Sequence, residues 1–133
     1  MILNIKSSTT FKDLQDQFRK EYPFLKICFS DISHEFGEAV RRGHWYDPSM
    51  HLSAVVKGSL PHVIEIQPWL KTGDVEQAFR EIKLYAQVFR WEDDRWIETA
   101  GTDVLSLDEQ NQIGLKSAER RSGNLWIERE IVL

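Results

Sequence analysis

Two β-rich runs separated by only four residues limit the folds open to this chain. The runs are residues 85–91 and 96–99, and the linker Glu92-Asp93-Asp94-Arg95 has the length and polarity of a hairpin loop. Strands joined by so short a loop pair antiparallel, because a parallel pair needs a crossover of about a dozen residues or more. The segment therefore predicts a β-hairpin and, with the helices predicted around it, an α+β fold.

The segments outside the hairpin alternate between helical and strand periodicity. Ser106 and Glu109 form the capping-box pattern that starts a helix. Apolar residues at helical spacing predict four helices, at residues 11–22, 50–57, 72–82 and 107–121. Apolar runs typical of strands predict the rest of the sheet, at residues 3–5, 24–30, 63–67 and 125–133, with part of 31–49 as one more.

A displacement of 61 residues aligns the chain with itself. Leu3 then falls on Ile64 and Ile27 on Val88, with no gap from the first strand to the second. Few of the matches are identities, and any two amphipathic strand–helix–strand units agree in pattern this well. Duplication is the more economical interpretation. It predicts a pseudo-repeat of residues 1–60 and 61–133 within a single domain, 1–133.

The predicted architecture is a two-layer α/β sandwich made from two similar β-α-β-β-α halves. It has a mostly antiparallel sheet, with about seven strands and four helices. Each half has the connectivity of a ferredoxin-like unit that lacks or shares its last strand. Folds of this kind host many unrelated functions, so function has to be sought in particular residues.

Length, charge and cysteine content narrow the classes of function. A chain of 133 residues suits one domain with one core. The net charge of −4 argues mildly against a general nucleic-acid binder, which normally presents a basic face. Cys28 is the only cysteine, so no intramolecular disulfide can form, and no apolar run is long enough to cross a bilayer. We therefore expect a cytoplasmic protein.

The segment 44–51 holds the densest collection of chemically useful residues. His44, Asp47 and His51 could supply two imidazoles and a carboxylate to a metal ion, and Trp45 and Tyr46 could line a ligand cleft. No dependable helix fixes their relative positions, and such spacings are common by chance. A polar loop held in place by its two aromatic residues explains the pattern better, so we predict no metal and no cofactor.

The hairpin itself interleaves Arg90, Trp91, Arg95 and Trp96. Aromatic rings beside arginines can stack on the bases of a single-stranded nucleic acid. The three acids in the intervening loop would repel phosphate, however. A cross-strand pair of Trp91 and Trp96 that stabilises the hairpin is the better explanation.

The leading functional hypothesis is a noncatalytic protein-interaction or assembly module, because the chain is rich in aromatic residues and lacks recognisable catalytic motifs. The terminal strand 125–133, at a sheet edge, would offer backbone groups for pairing in a homodimer. One alternative is a small-molecule binder or enzyme with a cleft near residues 44–51. Another is a weak single-stranded nucleic-acid binder that uses the 90–96 hairpin. We expect a protein partner or self-association rather than nucleic acid, and no membrane.

Overall fold

Five strands form two separate antiparallel sheets in the computed structural model, which describes residues 1–31, 45–56 and 60–132, with side chains up to residue 120. The first sheet has two strands and the second has three. Their bounds are β1 Ile2–Ile5 and β3 His62–Glu65 in the first sheet, and β2 Leu25–Ser30, β4 Tyr85–Glu92 and β5 Arg95–Glu98 in the second, in the order β2-β4-β5.

In the described part of the chain, three α-helices pack against the three-stranded sheet: α1 Phe11–Glu21, α2 Thr72–Arg80 and α3 Leu107–Val132. Helix α1 begins at a capping box, in which Thr10 accepts from the Asp13 N–H at 3.1 Å and Asp13 accepts from the Thr10 N–H at 2.9 Å. The capping box predicted for α3 is confirmed, with the two bonds between Ser106 and Glu109 both 3.1 Å long.

The helices bury their apolar faces in one continuous core. Helix α1 packs on β2, α2 on β4, and α3 on β4 and β2. The largest side chains of this core are almost completely hidden from solvent: Phe11, Phe18, Phe29, Phe79, Leu3, Ile5, Leu14, Leu25, Ile27, Leu52, Ile66 and Leu84. These contacts place both sheets and all three helices in a single α+β domain. Among the described residues, no helix has the length and apolar character needed to cross a membrane.

The predicted count of about seven strands and four helices is wrong. Among the described residues there are five strands and three α-helices. Residues 125–132, predicted as a strand, continue α3 instead, because each residue added to an existing helix gains a backbone hydrogen bond and this outweighs the stop signal Gly123-Asn124. Of the segment 50–57, the described residues 50–56 contain a single 3₁₀ turn, Leu52–Ala54, in place of the predicted helix.

The prediction of two similar halves in a two-layer sandwich also fails, because a long helix in the second half corresponds to one 3₁₀ turn in the first. The strand expected within 31–49 falls mostly on residues outside the described ranges. Within them, Trp45 forms an isolated antiparallel bridge with Ser30.

Residues 61 positions apart nevertheless face each other in both sheets. Leu3 lies directly opposite Ile64 in the β1–β3 pair, and Ile27 lies directly opposite Val88 in the β2–β4 pair. Two strands related by a twofold axis pair antiparallel with equivalent residues opposed at that axis. The pseudo-repeat of residues 1–60 and 61–133 stays a prediction.

The hairpin is confirmed, although its loop is shorter than expected. Glu92 pairs with Arg95, which leaves a two-residue turn, Asp93-Asp94. Both residues have positive φ, 52° and 61°, as a type I′ turn requires. This turn matches the twist of the strands and aligns Trp91 directly opposite Trp96.

Candidate functional site

The aromatic residues of the 44–51 segment pack against the body of the protein. The Trp45 ring lies 5.6 Å from the Phe89 ring, and the Tyr46 ring stacks on Phe11 at 5.1 Å. Phe11 belongs to α1 and Phe89 to β4, so the two side chains are held at different places. His44 lies outside the described residues.

The polar residues of the same segment serve the local backbone. The Asp47 carboxylate accepts hydrogen bonds from the Ser49 N–H at 2.8 Å and the Ser49 hydroxyl at 2.7 Å, and these bonds lower the pKa of Asp47. His51 is exposed and its backbone bridges to Thr10. Within the described ranges, no three His, Cys, Asp or Glu side chains gather as a metal site would require. The described residues of this segment do not form a cleft.

The hairpin residues form a denser cluster. The Trp91 and Trp96 rings meet edge to face, with centroids 5.3 Å apart and planes inclined by 70°. Edge-to-face contact is a favoured geometry for aromatic pairs and stabilises the hairpin beyond the area it buries. Both tryptophans remain partly exposed.

Two cations from other elements lie over the Trp96 ring of this pair. The Arg19 guanidinium carbon, on the last turn of α1, is 5.0 Å from the Trp96 ring centroid. Lys26 Nζ, on β2, is 5.2 Å from the same centroid and 5.3 Å from that of Phe89. Distances of this size are typical of cation–π contacts. We call Arg19, Lys26, Phe89, Trp91 and Trp96 the cation–aromatic patch.

The charges of this patch have no partner of opposite sign in the part of the chain that the structure describes: no carboxylate there forms an ion pair with Arg19 or Lys26. Arg90 differs. Its Nε donates to Glu92 Oε2 at 3.1 Å and its NH1 donates to Gln110 Oε1 at 2.5 Å, and only 12% of its side chain is exposed. Arg90 therefore has a structural role, whereas Arg19 is exposed to solvent.

A shallow cavity of about 120 Å³ adjoins the patch, lined by Arg19, Pro23, Phe24, Trp91 and Trp96. A cavity of this size has room for several water molecules or one amino-acid side chain. Its walls are three aromatic rings, a proline and one guanidinium. Arg95, predicted with the hairpin residues, is exposed and does not line this cavity.

Cys28 has the environment of an unreactive thiol. It is half-buried in β2, and its sulfur accepts a hydrogen bond from Gln15 Nε2 at 3.7 Å. Burial raises the pKa of the Cys28 thiol, so the nucleophilic thiolate is disfavoured at neutral pH.

A buried carboxyl group lies where β5 separates from β4. Glu76 of α2 accepts a hydrogen bond from the Val88 N–H at 2.9 Å, and the Thr99 hydroxyl donates to the Val88 carbonyl at 2.8 Å. Burial, and after it the nearby Asp103 carboxylate, raise the pKa of Glu76 to about 8. Glu76 is only 5% exposed, so its carboxyl group is placed to accept the backbone hydrogen bond of Val88 and is not accessible to a substrate.

Sequence patterns identify the tryptophans of the patch but miss its cations. Arg19 occupies the polar face of a predicted helix and Lys26 is a single polar residue in an apolar strand, which are both ordinary positions. Their meeting at Trp96 depends on the packing of α1, β2 and β5, and no local signal encodes it. Lys26, as the interruption of an apolar run, is the only hint.

No family model matches this chain, and neither a curated protein nor a solved structure matches it.

Proposed function

We propose that this protein is a noncatalytic protein-interaction module of the cytoplasm and that it binds its partner through the cation–aromatic patch. The observation that carries the proposal is the convergence of Arg19 and Lys26, each without a described carboxylate partner, on the partly exposed Trp96. Tryptophan and arginine are the residues most enriched among those that dominate binding energy at protein interfaces.

The contacts within the patch support the same function. The hairpin turn and the Trp91–Trp96 contact hold the tryptophans in place, and the ring of Trp96 holds the two cations. A surface that is already ordered loses less conformational entropy on binding. The cavity beside it offers a place for one side chain of the partner.

The alternative hypotheses lack comparable support. Trp45 and Tyr46 are packed on separate elements, so no observation favours a ligand cleft at residues 44–51. The hypothesis of a homodimer requires a strand at residues 125–133, but residues 125–132 are helical. Self-association through another surface remains an outcome that the experiment below can detect.

Selection from a random peptide library displayed on phage tests the proposal. The full chain is the bait, and each recovered peptide is re-tested by fluorescence anisotropy against Trp96→Ala and against the control Trp69→Ala. Trp69 is 71% exposed outside the patch. We expect peptides whose binding is lost with Trp96→Ala and kept with Trp69→Ala.

Two further results complete the test. Because Trp96→Ala also removes a contact within the hairpin, the charge reversal Arg19→Glu serves as a second patch variant and Lys20→Glu as its control. The proposal would be contradicted if the recovered peptides bind both patch variants as tightly as the unaltered protein, or if no peptide is recovered. Sedimentation of the bait alone shows whether the chain self-associates, and the same measurement on Arg19→Glu shows whether it does so through the patch.

A further inference from the structure

The patch places positive charge on a protein that is negative overall. The chain carries a net charge of −4, yet Arg19 and Lys26 lie over one ring without a described carboxylate partner. Resting on the proposed function, we infer that the patch selects an acidic peptide segment with an apolar side chain next to its carboxylates. This assigns a chemical class to the partner.

Carboxylates can reach both cations without breaking their contacts with the ring. A guanidinium or ammonium group over an aromatic face keeps N–H donors directed away from that face. The ring also restricts the two long side chains, whose loss of rotamer entropy is the main cost of forming a surface ion pair. An acidic segment therefore gains two ion pairs here at lower entropic cost than at isolated surface cations.

The cavity explains why an apolar residue should accompany the acids. Its lining is mainly Pro23, Phe24, Trp91 and Trp96, with Arg19 at one wall. A volume of about 120 Å³ suits a single aliphatic side chain, such as leucine. Burial of apolar surface favours binding, so the cavity can supply affinity while Arg19 and Lys26 supply selectivity.

Nucleic acid fits the same surface less well. A base needs the face of the Trp96 ring, where Arg19 and Lys26 lie at 5.0 and 5.2 Å from the centroid. A polynucleotide also carries a charge on every residue, and its path past the hairpin tip meets Asp93 and Asp94, both exposed. A peptide can place its acids over the cations alone and avoid the tip.

The probe is a fluorescein-labelled peptide with leucine at its centre and glutamates on both sides. Its matched versions carry glutamine in place of every glutamate, lysine in place of every glutamate, or alanine in place of leucine. Labelled oligothymidylate is the nucleic-acid probe. Anisotropy titrations use the full chain at low and at physiological salt, because ion pairs at a surface weaken as salt screens them.

The diagnostic variant is the double charge reversal Arg19→Glu, Lys26→Glu. Its control is Lys20→Glu, Lys116→Glu, which changes the net charge equally at two exposed lysines outside the patch. We expect the acidic peptide to bind the patch variant about twofold to thirtyfold more weakly than the control, the range that the loss of two exposed ion pairs implies. Glutamine and alanine versions should both bind the unaltered protein less tightly.

Failure of this inference is distinguishable from failure of the proposed function. If the glutamine peptide binds as tightly as the acidic one, or the two double variants bind alike, acid selection is refuted while a peptide-binding patch survives. If oligothymidylate binds through Trp96 and the acidic peptide does not, the partner class is wrong. If the library selection also recovers no peptide that depends on the patch, the proposed function falls as well.

Discussion

Glu76 illustrates how a single residue can complete a sheet and make stability depend on pH. The β4–β5 pairing ends at Phe89 and Glu98, so the next backbone N–H of β4, that of Val88, has no strand partner. Glu76 supplies the acceptor at 2.9 Å from α2. A carboxyl group in this buried position retains its proton more readily than one in water, because burial penalises the charged form.

The replacement Glu76→Gln should remove a pH dependence of folding stability. The folded pKa is about 8 and the ordinary value is 4.5, so the folded state binds more protons than the unfolded state between these values. The free energy of unfolding of the wild type should then fall as pH rises through this window, by at most about 1.4 kcal/mol per pH unit. Glutamine keeps an acceptor for the Val88 N–H and cannot ionise, so the free energy of unfolding of the Glu76→Gln variant should vary less with pH.

Urea unfolding at several pH values between 5 and 8 measures this difference. Glu81→Gln is the matched control, because Glu81 is exposed at the end of the same helix. Parallel stability curves for the wild type and Glu76→Gln would show that the carboxyl group does not titrate in this window.

At the scale of elements, α3 reaches the patch through a glycine. A methyl group built at Gly114 would lie 2.6 Å from Phe24 Cβ and 3.1 Å from the Trp91 carbonyl oxygen. Phe24 and Trp91 line the cavity, so the close approach of α3 supports two of the residues that line it. The Asn111 side chain adds a second connection, because its oxygen accepts from the Phe24 N–H at 3.0 Å.

Gly114→Ala should destabilise the protein even though alanine favours helices. Alanine gains up to about 1 kcal/mol in helix propensity, but the overlap with Phe24 Cβ forces α3 away from β4, and overpacking of this kind costs about 1–3 kcal/mol or more. Thermal unfolding measures the balance. Gly101→Ala is the control, since nothing lies within 4 Å of its added methyl group. Equal or higher stability of Gly114→Ala would show that α3 shifts without cost.

Elements with a strong local signal could be predicted from the sequence. The hairpin has its charged turn between two β-rich runs, and α3 has the Ser106 capping box. The end of α3 could not be predicted, because residues 125–133 contain both apolar alternation and good helix formers, and continuation from a formed helix decides between them. The cations of the patch were beyond prediction because Arg19, Lys26 and Trp96 come from three elements whose packing has no local signature.

At the scale of the whole molecule, the strands of residues 1–60 pair with strands of residues 61–133. Strand β1 pairs with β3 and β2 pairs with β4, so each sheet contains strands from before and after residue 60. Two further backbone hydrogen bonds have equivalent donors, although their acceptors are 55 residues apart: Phe11 N–H donates to the Met50 carbonyl and Thr72 N–H to the Leu105 carbonyl, both at 3.1 Å. Phe11 and Thr72 are 61 residues apart, the displacement on which the pseudo-repeat rests.

Because each sheet needs strands from both parts of the chain, we expect that neither fragment 1–60 nor fragment 61–133 folds alone and that the two fold when mixed. Fragment 1–60 would lack the partners of β1 and β2, and fragment 61–133 would lack those of β3 and one partner of β4. Each would also expose core surface, such as the Phe29–Phe79 contact, whose rings lie 5.0 Å apart across the two fragments. Near-ultraviolet circular dichroism should show no fixed aromatic environment in either fragment and a native-like signal after equimolar mixing.

A weakened fragment provides the control for that experiment. Phe79→Ala in fragment 61–133 removes a fully buried ring, a loss that costs about 3–5 kcal/mol in a packed core, so it should raise the concentration needed for complementation. Cooperative thermal unfolding of either fragment by itself would contradict a shared core, because it would mean that one half holds enough apolar contacts to fold without strands from the other.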